Sequence, residues 1–429
     1  MQDTAADTLS QPGQVYRYIR GLEQEEQKRY RTVTALWSGV TYMPKKVIYA
    51  VKFASGYGMR LMYEQKFVDR IEEYFFDKNK TFGWYPILIL TSQYRPKFGL
   101  NLFYVQGDFE TVLRGDFAAP KKNSAQIIAS YRIKTARTVW RFTLSGLEEY
   151  NDDRVYYGLG PDPLRDSRNS FSETAADDHG TYIQHRQKVQ FITGLRTSND
   201  WQFFWTCFFQ RRKIYDAVDS DNPLGSVFDL AALPKSVKQF YNELSVRYDS
   251  RDNEAYLSPG IFCEGHTGIS LGVLHDRSRF LRYGLDFFLN IPVIHQNRFL
   301  RPRMVIDVMK NIDDDRVPFV EYPRQPTFRG VALRRMYRTD EISTVVSFEY
   351  QWPLSFNLGG HLFFDNLIVA KDLSEFGRHT VPWAIGFGID FHALDDELAR
   401  FITAYGPEGI RFAFHLGIDE LTALRSDWE

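Results

Sequence analysis

One arginine and two carboxylates are the strongest chemical signal in this chain. Residues 323–331 read Pro-Arg-Gln-Pro-Thr-Phe-Arg-Gly-Val, and the Phe328-Arg329-Gly330 core falls in a polar loop. Glu349 and Asp365 follow on two stretches of alternating character, 343–352 and 359–368, each at a position of inward parity. A guanidinium withdrawn from water needs carboxylates that match its planar fork. The chemistry expected here is ionic locking, not bond making: Arg329 on an inward-folded loop, held by Glu349 and Asp365 on neighbouring walls. Removing one partner from such a site leaves an uncompensated charge, at a cost of roughly 3–5 kcal/mol.

Walls that can hold such a loop must be strands. From Phe82 onward the apolar residues recur with period 2. Ile410, Phe412, Phe414, Leu416 and Ile418 share one face, while Arg411, Ala413, His415 and Gly417 share the other. Leu281, Tyr283, Leu285, Phe287, Leu289 and Ile291 alternate with Arg282, Gly284, Asp286, Phe288 and Asn290. About 16 such segments are expected, near 82–92, 96–106, 109–118, 122–132, 137–146, 181–194, 201–214, 239–250, 258–273, 278–291, 298–310, 343–352, 359–368, 382–391, 397–405 and 408–418. Many are about 10 residues long, the length that spans a bilayer. Their polar faces carry mid-strand charges such as Asp286, Arg303, Asp307 and Glu349, which a wet lumen accommodates better than a compact sandwich does. The longest connections follow the fifth, seventh, eleventh and thirteenth segments. Long outer loops alternating with short inner turns are the signature of a membrane barrel. The expected fold is therefore all-β: a transmembrane antiparallel β-barrel over residues 81–418.

Composition agrees. The chain has 429 residues, 35 Phe, 25 Tyr and 8 Trp, and a net charge of -1 that offers no basic field for nucleic acid. A mean hydropathy of -0.37 suits a barrel with a polar lumen as well as a soluble protein. No apolar run approaches the roughly 18 residues of a membrane helix. Residues 1–80 differ from the rest: Phe67, Ile71 and Phe75 fall on one helical face, expected at the barrel's inner rim, at the lipid boundary or in a simple helix packing. Residues 419–429 read as a polar tail. The start of the chain lacks an apolar targeting core, so an exported form is expected to have lost its signal peptide. Cys207 and Cys263 fall on outward faces of non-adjacent segments and are expected to be free thiols.

From about Phe82 to Ile418 the chain resembles the BamA/TamA outer-membrane superfamily, also called the bacterial surface-antigen family. Phe328-Arg329-Gly330 resembles that family's loop-six motif and lies between the eleventh and twelfth segments, where the family has it. Phe348-Glu349-Tyr350-Gln351-Trp352-Pro353-Leu354 and Phe363-Phe364-Asp365 resemble the two strands that follow. Tyr248 to Asn253 with Pro259-Gly260, Tyr157-Gly158-Leu159-Gly160, and Ala404-Tyr405-Gly406-Pro407 resemble the eighth-to-ninth hairpin, the third outer loop and the closing hairpin. The chain departs from the pattern at Phe328, Val331, Gln351 and Leu367, and in the tail after Ile418. Residues 1–80 also show no POTRA pattern.

The resemblance implies transport, or assisted insertion, of protein or lipid at the outer membrane of a Gram-negative bacterium. It implies a first-to-last strand seam that opens sideways, contact with outer-membrane lipid, and a periplasmic or membrane-associated partner supplied in trans. A passive pore and a membrane anchor for another protein are the alternatives. Arg282, Asp286, Arg301, Arg303 and Asp307 are expected in the lumen, either lining a path for a polar substrate or forming a salt-bridged, plugged interior. Asp249, Arg251 and Asp252 are expected to pin a turn. No cofactor, metal or enzymatic activity is expected: the nine His lack metal spacing, Gly-x-Ser-x-Gly is absent, Gly158-Leu159-Gly160 lacks the context of a dinucleotide loop, and His266 with Ser270 faces inward.

Overall fold

The computed structural model describes residues 77–416 except 78, 80, 92–96, 119–121, 162–165, 173–178, 198–199, 230–235, 252–257, 274–278, 294–297, 313–316, 325–326, 331–338, 356–357, 377–381, 394–395 and 408. The helical face expected in residues 1–76, Asp252 of the expected turn, and the tail at 419–429 lie outside the described residues.

Sixteen antiparallel strands follow one another: β1 (Phe82–Thr91), β2 (Lys97–Gln106), β3 (Phe109–Ala118), β4 (Lys122–Lys134), β5 (Thr138–Tyr156), β6 (Gly180–Thr197), β7 (Trp201–Asp216), β8 (Ser236–Asp249), β9 (Gly260–Gly272), β10 (Phe280–Pro292), β11 (Phe299–Asn311), β12 (Ile342–Ser355), β13 (Leu358–Ala370), β14 (Trp383–Ala393), β15 (Asp396–Gly406) and β16 (Gly409–Leu416). Each pairs with its sequence neighbour, and β1 meets β16 to complete the ring. The sequence places these strands to within a few residues, with one exception. β5 runs to Tyr156, ten residues past the expected end at 146. Residues 147–156 are polar on both faces, so the alternation that marks a lipid-facing strand is missing, yet they stay paired with β6 across a bulge between Asn151 and Arg154.

Alternation becomes a wall with two chemistries. Leu113, Ile127, Leu144, Val189, Trp205, Leu244, Leu281, Phe348, Leu362, Ile385 and Phe412 point outward and stand exposed on the bare protein. A bilayer covers such a belt, gaining roughly 1.5–3 kcal/mol for each large apolar side chain taken fully out of water. No helix among the described residues is long and apolar enough to cross a membrane.

The two ends differ. At the long-loop end, hereafter outer, the connections after β5, β7 and β11 pack into an apolar core: Tyr156, Leu159, Tyr182, Ile214, Leu224, Val227, Phe228, Val237, Phe280, Met309, Val317, Phe319, Val320 and Tyr322. Within it lies the short helix α1 (Leu224–Val227) and a 3-10 turn at Phe319–Glu321. At the short-turn end, hereafter inner, the lumen is lined with charge.

Among the described residues the fewest pairs join β1 to β16: Leu88–Thr91 with Ala413–Leu416, against eight residue pairs for β1–β2 and fifteen for β6–β7. Strand length follows the same gradient, from 10 residues in β1 and 8 in β16 to 19 and 18 in β5 and β6.

Candidate functional site: the loop-six lock and its surroundings

The connection between β11 and β12 turns into the lumen and is fixed at three levels. At the top, the 3-10 turn presents Glu321, which is 3% exposed. Its carboxylate accepts from Gln239 Nε2 at 2.9 Å and Gln210 Nε2 at 3.4 Å, and lies 3.4 Å from Arg212. Arg212 Nη1 also donates to the Val320 carbonyl at 2.5 Å. Three inward-facing side chains of β7 and β8 thus compensate an acid that would otherwise be costly to bury.

Lower down, Arg329 reaches the wall. Its backbone N–H and Nε each donate to Asp365 Oδ2 at 3.0 Å, and Nη2 donates to Asp365 Oδ1 at 2.7 Å. Nη1 donates to Glu349, and Nη2 also donates to Ser347 Oγ at 2.8 Å. The guanidinium lies 3.7 Å above the centroid of the Phe363 ring. Asp365 is fully buried and is further held by Ser347 Oγ at 2.5 Å. The register explains the convergence: Ser347 faces Asp365 and Glu349 faces Phe363 across β12–β13, so all four side chains enter the lumen together.

Phe328 and Gly330 complete the lock. Phe328 is buried against Val345, Leu367 and Ala384, on β12, β13 and β14. A methyl group on Gly330 would sit 2.5 Å from the Phe328 ring and 2.9 Å from Ala384 Cβ, so only glycine lets the backbone come this close. Arg411 Nη1 of β16 donates to the Gly330 carbonyl at 3.2 Å. Loop six therefore ties β12, β13 and β14 to the last strand.

A third fixation holds the far end of the loop. Leu159 forms a bridge with Thr339, and Gly160 N–H donates to the Thr339 carbonyl at 3.1 Å. Gly158 and Gly160 adopt positive φ, 91° and 89°, to make that turn. Arg168 then spans Asp340, at 2.8 and 2.7 Å, and Asp166, at 2.5 Å. Burial pushes Asp340 above the usual carboxylate range despite Arg168. At the more open Asp166 burial pushes the same way, but the Arg168 hydrogen bonds and charge prevail and lower it.

The expected lumen charges are paired wall to wall. Arg282 is bidentate with Asp307, at 3.1 and 2.6 Å, and Arg303 with Asp286, at 3.1 and 2.6 Å. Arg301 differs: Nε donates to Asn290 Oδ1 at 2.7 Å, and its nearest carboxylate, Glu349, is 3.9 Å away. Asp249 and Arg251 make a bidentate pair beside the β8–β9 turn. His266 turns to Asp307 and Ser270 to Gln239, so the two do not form a nucleophile–base pair. Both cysteines are free. No group of His, Cys, Asp and Glu suited to a metal occurs among the described residues.

Sequence reasoning missed Glu321, Arg168 with Asp340, and Arg411. The signal for Glu321 was present: Val317-Pro318-Phe319-Val320-Glu321-Tyr322-Pro323 is too apolar for an exposed loop.

No family model and no curated protein matches the chain. Solved structures do. BamA from Haemophilus ducreyi lacking POTRA domains 1–3 aligns with 78% of this chain and 70% of its own, at 12% identity and a TM-score of 0.57. CdiB from Acinetobacter baumannii (10% identity, TM-score 0.47) and CdiB from Escherichia coli (11%, 0.46) each align with 78% of this chain, and with 59% and 62% of their own. At such identities the likeness is one of fold: this chain is a transmembrane β-barrel of about sixteen strands, built like the barrel of BamA.

Proposed function

We propose that this chain is an outer-membrane barrel that lets polypeptide or lipid pass sideways between its interior and the bilayer, through the β1–β16 seam. The observation that carries this reading is the seam itself: four residue pairs among the described residues, beside a loop-six tip tied to Arg411 on β16. A ring opens where the fewest hydrogen bonds must break, and every other strand junction has at least eight residue pairs. The packed outer core supports the same reading over a passive pore, because a solute leaving outward would have to displace Phe319, Tyr182 and Phe228. The resemblance of loop six to the BamA/TamA pattern adds support.

The function is non-enzymatic on this reading. Delivery of the substrate falls to a periplasmic or membrane-associated partner acting in trans. Arg329, Glu349 and Asp365 serve as the brace that keeps β12–β14 in place while β16 moves.

The test is a reversible tether. Cysteines at positions 90 and 414, which face each other across the seam, are introduced into a chain with Cys207 and Cys263 replaced by serine. In the native host, the oxidised tether is expected to reproduce the phenotype of deleting the protein, and reductant to restore growth and outer-membrane composition. A control tether across β7–β8, made by keeping Cys207, replacing Cys263 by serine and introducing a cysteine at position 242, is expected to have no effect. Full complementation by the oxidised seam tether would refute lateral passage, and size-selective conductance of the purified barrel would point to a pore.

A further inference from the structure

The inner end of the lumen holds a group that the lock does not use. Phe262 of β9 and Phe288 of β10 stack in the lumen with centroids 4.8 Å apart and planes 11° from parallel. Four guanidiniums surround this pair. Arg247 and Arg251 lie 5.5 Å from Phe262, and Arg251, Arg301 and Arg303 lie 4.9, 5.0 and 5.9 Å from Phe288. Three of the four have a close carboxylate: Arg247 with Glu264 at 2.7 Å, Arg251 with Asp249 at 2.6 Å, and Arg303 with Asp286 at 2.6 Å.

Arg301 does not. Its nearest carboxylate, Glu349 at 3.9 Å, already accepts from Arg329 and from Gln351. Glu349 makes the largest charge interaction with Arg301, and the charges of Arg251, Arg303 and Arg400 oppose it. The side chain is nevertheless held in place. Its Nε donates to Asn290 Oδ1, and Asn290 Nδ2 donates in turn to the Ser258 carbonyl at 2.7 Å. The ring of Phe288 supports one face of the guanidinium. The two Nη atoms form the remaining edge, with no hydrogen-bond acceptor in reach among the described residues, and the side chain keeps 23% of its surface open to the lumen. A fixed guanidinium edge with two free donors fits two oxygens of one oxyanion in its own plane.

We propose that Arg301 is the prong of an oxyanion-binding site at the inner end of the lumen, taking a carboxylate or phosphate group in bidentate fashion on the Phe262–Phe288 platform. Binding compensates a cation that has three like-charged neighbours and no close carboxylate of its own. The site lies on the β10–β11 wall, bordering the Arg329 lock at Glu349, and is independent of lateral passage.

The folded full-length barrel in detergent micelles is titrated calorimetrically, at constant ionic strength, with inorganic phosphate and with a short acidic peptide. Saturable binding of either probe is expected, weakened about tenfold or more by Arg301→Gln, the loss of one charge-assisted contact. Arg282→Gln, in the outer half of the lumen, is expected to leave binding unchanged. Preference for phosphate would identify a phosphorylated ligand, and preference for the peptide a polypeptide carboxylate; both support the site. If Arg301→Gln does not migrate as a folded barrel, Arg301→Lys is read in its place, since it keeps the charge and loses the planar edge. Absence of saturable binding, or equal binding by the wild type and the Arg301 variant, would overturn the proposal.

Discussion

The seam and the wall opposite it solve the same problem differently. Between β5 and β8 the barrel is held by long ladders, with strands of 19, 18, 16 and 14 residues that continue past the lipid-facing belt and seat the outer core. Between β14 and β2 the strands have 8 to 11 residues, and β1–β16 contributes four pairs among the described residues. To this short described ladder the lumen adds side-chain ties. Arg329 fixes loop six to β12 and β13, Phe328 packs it on β14, and Arg411 carries the tie to β16. A ladder is cooperative and opens only by losing many hydrogen bonds. A brace of a few ionic contacts can hold a short strand in place and still release it.

The largest break in this comparison is expected from Arg329→Ala. It leaves Asp365 and Glu349 buried without their cation, a loss of about 3–5 kcal/mol. The temperature at which the folded barrel loses its fast electrophoretic mobility should fall accordingly. Unchanged heat-modifiability would show that the brace bears no load. Next comes Val189→Arg, an outward position on β6 exposed to lipid. A charge on the lipid face costs about 2–4 kcal/mol near mid-bilayer. The midpoint of urea unfolding in vesicles should drop, while seam behaviour stays as in the wild type.

Arg168→Ala tests the roof. It frees the Asp340 carboxylate in a buried site and unties the loop after β5 from the root of loop six. With Arg168 one-fifth exposed, solvent screening reduces the loss to about 1–3 kcal/mol. Limited proteolysis should then cut within 157–179 faster than in the wild type; equal rates would mean that the apolar core alone holds the roof. Arg411→Ala is expected to have the smallest global effect, about 1 kcal/mol for one hydrogen bond. Its effect should be local, quickening amide exchange in β16 and leaving β6 and β7 unchanged.

Much of this architecture is legible in the sequence, because a strand between lipid and water must alternate and a lock must pair opposite charges. Glu349 and Asp365 could be placed inward by strand parity, and Arg329 opposite them by its loop and that loop's resemblance to a known pattern. Legibility fails where neither rule applies. Residues 147–156 continue β5 beyond the alternating belt, so their polar run reads as loop. Arg168 and Asp340 are 172 residues apart and meet through two irregular segments. The mate of Glu321 is not one residue but a set, Gln210, Arg212 and Gln239, drawn from strands whose inward faces hold many polar groups. Arg301 was legible as a lumen charge. That its terminal nitrogens lack an acceptor depends on the geometry of Asn290 and Glu349.

The central claim is that the ring is weakest between β1 and β16 and is held there by loop six. Hydrogen–deuterium exchange on the folded, full-length barrel tests it most directly. Amides of β1 and β16 should exchange well before those of β6 and β7, and Arg329→Ala should widen the gap. Protection of β1 and β16 equal to that of β6 and β7, in the wild type and in Arg329→Ala alike, would contradict the account.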